Sequence, residues 1–242
     1  MPTSLISRRL VLVAGATLAL GAQTATAANE PWRLGRRLHA DDFGHGLDQW
    51  LIEAEKPAQV SVTAGLLDID APEGLTAWFR PELKGPVAID YLAQAVSAGG
   101  PNDRVSDLNC FWMAADPRSP SDLLARPRSG AFSDYDQLQT YYVGQGGNAN
   151  TTTRFRRYVG RDGDRPLLPE NDRKGAEDLL RPNAVQRIRL IAFGGLIQYW
   201  RDGGKVFEYR DASPYARGWF ALRTTRSHLR IRDFQVHALR PA

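Results

Sequence analysis

One stretch of the chain, YYVGQGGNANTTTRFRRY (141–158), concentrates groups able to act on a charged ligand. Side chains of an extended strand alternate between its two faces, so Phe155 belongs to the core while Arg154, Arg156 and Tyr158 share the opposite face. The two guanidinium groups then stand about 7 Å apart. Guanidinium groups bind carboxylates, and a phenol can donate or accept a proton. The spacing therefore predicts a place for acid–base chemistry on an anion.

Polar and aromatic side chains on other predicted strands support the same interpretation. Leu138 is taken to face the core in the strand at 137–143, which places Gln137, Gln139 and Tyr141 on the outer side. In the loop GQGGNAN (144–150), glycine and asparagine suit a tight strand connection, and Asn148 and Asn150 can also contact a ligand at its rim. Parity in the remaining strands adds further candidates to the outer face: Trp78, Arg80, Asn109, Trp219, Arg223 and His228.

This mixture of residues is unusual for a solvated sheet. Aromatic planes, amides and guanidinium groups match sugar rings and the carboxylates of acidic sugars. The alternative is an arginine-rich face whose charges are neutralised by Asp or Glu on neighbouring strands. The register between strands decides between a binding groove and cross-strand ion pairs, and the sequence leaves both interpretations open.

These arginines, amides and tyrosines are the groups that a polysaccharide lyase needs for β-elimination on a uronate. Arg154 and Arg156 would hold the substrate carboxylate, and Gln139 and Asn109 would stabilise its developing charge. Tyr141 or Tyr158 would serve as base or acid, with a pKa lowered by the arginines. The predicted catalytic set is Tyr141, Arg154, Arg156 and Tyr158. The predicted substrate-binding set is Trp78, Arg80, Asn109, Gln137, Gln139, Asn148, Asn150, Arg223 and His228.

Other functions remain open or find less support. A non-catalytic carbohydrate-binding module would need the same groove without proton transfer, and a glycoside hydrolase of unrecognised mechanism is a further alternative. The strand motif Glu-x-Asp-x-x-Glu, which would supply the paired carboxylates of a retaining hydrolase, is missing. The histidines show no metal-ligand spacing, so no cofactor is predicted. Asp41 and Asp42 beside the Gly46 turn suit either a structural calcium ion or a plain turn.

The elements that must position these residues are strands. Period-two alternation from Val60 onward predicts about eleven strands and no long helix. Two charged, proline-containing segments, 116–133 and 161–183, lack strand character, and long loops of this kind are often functional. We predict an all-β fold, a concanavalin A-like jelly-roll β-sandwich of two antiparallel sheets in a single domain.

The beginning of the chain predicts export. Residues 1–27 combine Arg8 and Arg9, a short apolar run and Ala25-Thr26-Ala27, the pattern of a signal peptide that follows the twin-arginine or the general route. Residues 28–242 would form the jelly-roll domain, periplasmic or secreted and free of the membrane after signal cleavage. Removing the two arginines lowers the formal net charge from +4 to +2, which argues against a nucleic-acid partner. The partner expected is an acidic poly- or oligosaccharide.

Four stretches carry a resemblance to a known family: RVSDLNCFWMAADP (104–117), YYVGQGGNANTTTRFRRY (141–158), RPLLPENDR (165–173) and GWFALRTTRSHLRIRDFQV (218–236). They resemble a bacterial domain-of-unknown-function family, the one numbered 6250, with a concanavalin A-like jelly roll. Its layout is similar to that of a sister family found with rhamnogalacturonan-degrading enzymes. The resemblance implies work on acidic polysaccharides, and it assigns no catalytic residues.

Overall fold

A computed structural model describes residues 30–242, which fold as two antiparallel sheets packed face to face. The predicted signal peptide, residues 1–27, lies outside the described residues. Within them, no helix has the length and apolar character needed to cross a membrane. The all-β jelly-roll sandwich predicted from the alternation is confirmed.

Sixteen strands make up the two sheets. In chain order they are β1 (Trp32–Asp41), β2 (Trp50–Ala54), β3 (Gln59–Thr63), β4 (Leu66–Ala71), β5 (Leu75–Phe79), β6 (Leu83–Lys84), β7 (Val87–Ala95), β8 (Leu108–Ala115), β9 (Gln139–Gly146), β10 (Thr152–Val159), β11 (Asp172–Arg173), β12 (Val185–Phe193), β13 (Leu196–Arg201), β14 (Gly204–Arg210), β15 (Arg217–Thr224) and β16 (Ser227–Pro241). Sheet A has the order β14-β13-β12-β7-β16-β4-β3, with β1 paired to β16. Sheet B has the order β11-β10-β9-β8-β15-β5-β2, with β6 paired to β15.

Short helical turns occur only in the connections of the described chain. Four are 3-10 turns, at Leu123–Ala125, Phe132–Tyr135, Pro169–Asn171 and Ala176–Asp178. A fifth, Gly147–Asn150 between β9 and β10, has left-handed backbone angles at Asn148 and Ala149. The polar loop of the sequence is therefore a tight left-handed connection.

The main core lies between the sheets and follows the predicted alternation. Phe155 of β10, Phe79 of β5 and Phe220 of β15 all point inward and are at most 1% exposed. Phe79 and Phe220 pack with Trp50 and Phe234, whose ring centroids are 5.2 Å apart. Truncating one such aromatic side chain to Ala costs about 3–5 kcal/mol, so this core fixes which faces of β5, β10 and β15 remain for a site.

A second core covers part of the outer face of sheet B, the face turned away from sheet A. Residues 116–138, between β8 and β9, form a segment that we call the cover segment. Its Leu123, Tyr135 and Leu138 pack on an aromatic cluster of the sheet that includes Trp78 and Phe111. The cover segment turns a large share of that outer face into a buried interior.

Buried charges tie the cover segment to the sheet. The Glu53 carboxylate of β2 accepts hydrogen bonds from the Trp78 indole (2.9 Å), the Tyr135 hydroxyl (2.8 Å) and the Arg128 backbone amide (3.0 Å). The Arg128 guanidinium donates to Asp116 at 2.8 Å, and both side chains are almost fully buried. Buried charges are stable only when paired in this way, so the network holds the segment in one position.

One glycine permits this close approach. Gly130 has φ = +96°, and a Cβ atom there would lie 2.4 Å from the Glu55 amide nitrogen. Only glycine fits such a backbone angle and contact. The cover segment can therefore reach the edge of sheet B at this position.

Candidate functional site

An open cavity lies on the outer face of sheet B, bordered by Phe132 of the cover segment. Its volume is about 540 Å³, within the range of about 300–1,000 Å³ typical of small-ligand sites. Strands β9 and β10, the left-handed turn between them and the loops that carry Arg104 and Arg165 form its wall. The lining includes four arginines, Arg104, Arg154, Arg156 and Arg165, and one carboxylate, Asp107.

The strand register brings polar residues from distant parts of the chain into one row across the sheet. Neighbouring strands place Arg223 opposite Asn109, Asn109 opposite Gly144, and Gly144 opposite Arg154. The row extends to Thr76 and Glu53 on one side and to Asp172 on the other. Arg154, Asn109 and Arg223, predicted on separate strands, therefore share one transverse row.

The next row supplies the phenol that faces the cavity. Tyr142 of β9 pairs with Phe111 of β8 and with Arg156 of β10. Its hydroxyl lies over the backbone of Gly144, where a Cβ atom would come within 2.8 Å of the Tyr142 oxygen. Gly144 therefore leaves the space that the Tyr142 ring occupies.

The two predicted arginines of β10 differ in their partners. Arg154 makes a bidentate ion pair with Asp172, with Nε–Oδ1 and Nη2–Oδ2 distances of 2.8 and 3.2 Å. Arg156 donates to the Arg165 carbonyl oxygen and contacts no carboxylate among residues 30–242. Its pKa is lowered, mainly by burial and further by the nearby Arg154 and Arg165. Cross-strand neutralisation thus applies to Arg154, whereas Arg156 keeps an unmatched charge at the cavity wall.

Two more arginines and one aspartate complete the charge of the cavity. Arg165 lies 3.4 Å from Asp136, while the Arg104 guanidinium has no carboxylate partner in the described part of the chain. Burial raises the pKa of Asp107, although Arg104 and Arg223 pull it down. Two guanidinium groups without a carboxylate partner in residues 30–242, Arg104 and Arg156, against one aspartate leave the cavity cationic.

The tyrosines near the site stay protonated at neutral pH, because their pKa values are raised. Burial raises the pKa of Tyr142 well above its ordinary value, and the nearby Tyr158 and Asp107 add to the effect. Burial also raises the pKa of Tyr158 to about 12, and the Arg165 cation offsets this only in part. The expected lowering of the pKa of Tyr141 or Tyr158 by arginine is therefore wrong, because burial raises the pKa of both, and at Tyr141 the Asp211 carboxylate adds to the effect.

Tyr141 and Tyr158, two predicted catalytic residues, do not reach the cavity. Tyr141 is fully buried between the sheets, where its hydroxyl donates to Asp211 at 2.6 Å. The faces of this strand were assigned wrongly because Leu138 was taken as the inward-facing reference. Leu138 precedes β9 and packs in the second core rather than in the main core. Tyr158 has the predicted face but is fully buried beneath the cover segment.

Several predicted binding residues lie away from the cavity. Trp78 is fully buried and donates to Glu53, so the expected stacking platform for a sugar is covered. Arg80 follows β5 and is exposed outside the lining. Gln137 donates to Asp162 at 2.5 Å, and Gln139 pairs with Val159 at the far end of β9.

His228 and Asn150 have structural partners elsewhere. His228 belongs to β16 of sheet A, and its two ring nitrogens each lie 2.8 Å from a carboxylate oxygen, of Asp68 and Asp103. Asn150 exchanges hydrogen bonds of 2.9 Å with the Leu180 backbone and so anchors the segment after β11. His228 was misplaced because its strand joins the other sheet, and Asn150 because its amide satisfies a loop.

Three other predicted residues belong to the cavity or lie directly behind it. Asn148 lines the wall and donates to Thr152 at 3.1 Å. Arg223 and Asn109 lie in the same row but are buried, Arg223 with its guanidinium 5.0 Å from the centroid of Phe132, a lining residue. The Arg223 Nε and Nη2 atoms and the Asn109 Oδ1 atom have no hydrogen-bond partner within residues 30–242.

Sequence reasoning missed Tyr142, Arg104 and Arg165 as lining residues. Val143 faces the main core. Had it set the parity of β9, it would have placed Tyr142 on the outer face. Arg104 and Arg165 come from loops, for which alternation gives no signal.

The described residues hold no group of three or more His, Cys, Asp or Glu side chains placed to bind a metal ion. At the predicted turn, Asp41 accepts hydrogen bonds from the Phe43 amide (2.7 Å) and the Trp50 indole (2.8 Å), and Asp42 accepts one from the Gly44 amide (2.9 Å). The carboxylates of this turn therefore have protein partners.

Comparisons with known proteins place the fold. The family model for the domain of unknown function DUF6250 matches residues 69–234. No curated protein matches the sequence. A protein of unknown function with a galectin-like fold from Bacillus subtilis is similar in structure, with a TM-score of 0.66 at 16% identity, over 86% of this chain and 98% of that one.

Two further structures of similar fold have described activities. A carbohydrate-binding module, CBM66, from Bacillus subtilis has a TM-score of 0.53 at 9% identity, and the match covers 78% of this chain and 96% of that one. An endo-β-1,3-glucanase from Pyrococcus furiosus has a TM-score of 0.54 at 11% identity, with 87% and 96% covered. At these identities the likeness concerns the jelly-roll fold, which serves both binding and catalysis.

Proposed function

We propose a function for this chain, which belongs to the DUF6250 family: it is an exported carbohydrate-active protein that cleaves a uronate-containing polysaccharide by β-elimination in the cavity on sheet B. Export rests on the signal pattern of residues 1–27. A saccharide as ligand is supported by the fold shared with carbohydrate-binding modules and glycoside hydrolases.

The unmatched guanidinium of Arg156 beside the Tyr142 phenol carries the proposal. Arg156 lines the cavity without a carboxylate partner among residues 30–242, and its strand neighbour Tyr142 lines the same wall. A uronate carboxylate bound to Arg156 would lose much of its charge. Neutralising that carboxylate makes the proton on the adjacent sugar carbon, C5, easier to remove.

Asp107 and Tyr142 divide the proton transfers between them. An aspartate whose pKa is raised by burial is a better base than an ordinary one, and a tyrosine whose pKa is raised stays protonated as an acid. Asp107 takes the C5 proton, the C4–oxygen bond breaks as the C4–C5 double bond forms, and Tyr142 protonates the departing oxygen. Water then takes the proton from Asp107 and restores the one on Tyr142.

Carbohydrate binding without catalysis is the second candidate. The raised pKa values of both Tyr142 and Tyr158 favour it, because neither phenol is activated as a base. Hydrolysis by paired carboxylates has less support, since it needs two carboxyl groups about 5–9 Å apart across the scissile bond. Asp107 is the one carboxylate among the cavity's lining residues.

Product analysis on a panel of acidic polysaccharides separates these functions. The protein is incubated with rhamnogalacturonan, ulvan, alginate or glucuronan, and both the ultraviolet absorbance of unsaturated uronate and the appearance of reducing ends are followed. A lyase produces both signals on at least one polymer. New reducing ends without absorbance would indicate a hydrolase, and binding without either signal would indicate a carbohydrate-binding protein.

A further inference from the structure

We infer that the cavity binds two anionic groups of one saccharide chain, one at each end of its wall, so that the substrate class is a polysaccharide with charges on more than one sugar unit. The inference deepens the proposed function and rests on it for the identity of the ligand as a saccharide.

The first anion position lies on β10. Arg154 is held by Asp172, and Lys174 also lies 3.4 Å from that carboxylate. Arg165 lies 3.4 Å from Asp136. Both carboxylates are thus paired with other arginines. Among the described residues at this end, Arg156 remains without a carboxylate partner. One anionic group of a ligand fits there.

The second anion position lies at the other end, where β15 and β8 meet. Arg104 lines the cavity, and Arg223 is buried behind Phe132 with two unpaired guanidinium nitrogens. Neither guanidinium has a carboxylate within ion-pair distance among residues 30–242. Asp107 lies at this end too, because it accepts a hydrogen bond of 3.4 Å from Asn109, the strand partner of Arg223. Two cations against one aspartate leave room for a second anionic group.

The two ends of the wall lie on strands that are three positions apart in sheet B. Arg223 and Arg154 share one row and are separated by Asn109 and Gly144 on the two intervening strands. Three strand spacings of about 4.8 Å place the two Cα atoms roughly 14 Å apart. Ion pairs form within about 4 Å, so cations that start this far apart on the wall are better matched by two anionic groups than by one.

Calorimetric titration with saccharides of equal length tests the inference. The ligands are a saturated trisaccharide with one uronate, one with two uronates, and one with a uronate and a sulfate ester. We expect the doubly charged chains to bind about tenfold or more tightly than the singly charged one. The sulfated ligand shows whether the second position takes a sulfate ester as well as a carboxylate.

Variants locate the effect. Arg104→Gln is expected to remove the advantage of the second charge, so that the doubly charged chains bind no more tightly than the singly charged one. Arg126→Gln, an exposed arginine of the cover segment that is not a lining residue, should change neither affinity. Equal affinity of the wild-type protein for singly and doubly charged chains overturns the inference, and so does an advantage that survives Arg104→Gln.

The outcome is separable from that of the proposed function. Preference for doubly charged chains without unsaturated products supports two anion positions and contradicts the lyase. Formation of unsaturated products without that preference supports the lyase and contradicts the second anion position.

Discussion

The outer face of sheet B has two halves that look alike in sequence and differ in role. In the sealed half, under the cover segment, Trp78, Phe111 and Tyr158 form a buried aromatic core. In the open half, Arg154 and Arg156 line a cavity with Tyr142. Both halves place aromatic side chains opposite the main core.

The two halves differ most clearly in whether their arginines are paired with carboxylates. Arg128 in the sealed half is matched by Asp116 at 2.8 Å and lies 3.7 Å from Glu53, whereas Arg156 in the open half has no carboxylate among residues 30–242. A buried and fully paired charge stabilises the fold, whereas an unpaired guanidinium at a cavity wall is available to bind an anionic ligand. Pairing, more than residue type, therefore distinguishes scaffold from site.

Breaking the sealed half gives the largest expected effect. Arg128→Met removes the cation between Asp116 and Glu53. Asp116 keeps its pairing with Arg118 at 2.8 Å, but Glu53 is left buried without a cation, so we expect a cost of about 3 kcal/mol of unfolding free energy. Urea denaturation measures the loss, with Arg126→Met, an exposed neighbour, as the control. A loss below about 1 kcal/mol would show that the network does not hold the cover segment.

Removing the hydroxyl group of one tyrosine in each half tests which half contains the chemistry. Tyr142→Phe removes the proposed proton donor of the open half, and we expect turnover to fall about a hundredfold or more with the fold retained. Tyr158→Phe is the matched control, because its buried hydroxyl has no hydrogen-bond partner among the described residues. Initial rates on the best polymer of the panel provide the measurement. Loss of turnover in Tyr158→Phe alone would place the chemistry in the sealed half.

Gly144 offers a milder change within the open half. In Gly144→Ala the new Cβ atom would meet the Tyr142 hydroxyl oxygen at 2.8 Å and its Cε1 atom at 3.1 Å, so the ring must shift. We expect a stability loss of about 1 kcal/mol and weaker saccharide binding of similar size. Calorimetry and urea denaturation together measure both. Unchanged affinity would mean that the position of Tyr142 does not matter for the ligand.

Lowering the pH should reduce the stability of the sealed half, by less than the substitutions described above. Burial opposes the charge of Asp116, but hydrogen bonds and the charges of Arg118 and Arg128 outweigh it, so the pKa of Asp116 is below its ordinary value of 3.8. A lowered pKa contributes stability that is present above that value and is lost as the pH falls through the folded-state pKa. Asp116→Asn should therefore flatten the acid limb of stability against pH. An unaltered limb would contradict this role.

Much of the fold could be predicted from the sequence, because alternation reports which residues face the core. The parity of β10 was correct, since Phe155 lies inside the strand and in the main core. The parity of β9 was wrong because Leu138 lies outside the strand and packs in a second core. A second core on the outer face cannot be recognised from one strand's pattern.

The candidate site was less accessible to sequence reasoning, because it depends on register and on loops. Arg154 and Arg156 have the same residue type and face, yet only Arg154 meets an aspartate, which comes from a segment 18 residues away. Alternation could not indicate that Asp172 would pair with β10, nor that residues 116–138 would cover Trp78. Long-range pairing of this kind has no local signal.

A crystal structure of Tyr142→Phe with a saturated triuronate tests the central claim most directly. We predict that the saccharide occupies the cavity of the open half, with one carboxylate within hydrogen-bond distance of the Arg156 guanidinium and no displacement of the cover segment. A saccharide bound on sheet A, or one that enters the sealed half and leaves Arg156 without a contact, would contradict the account.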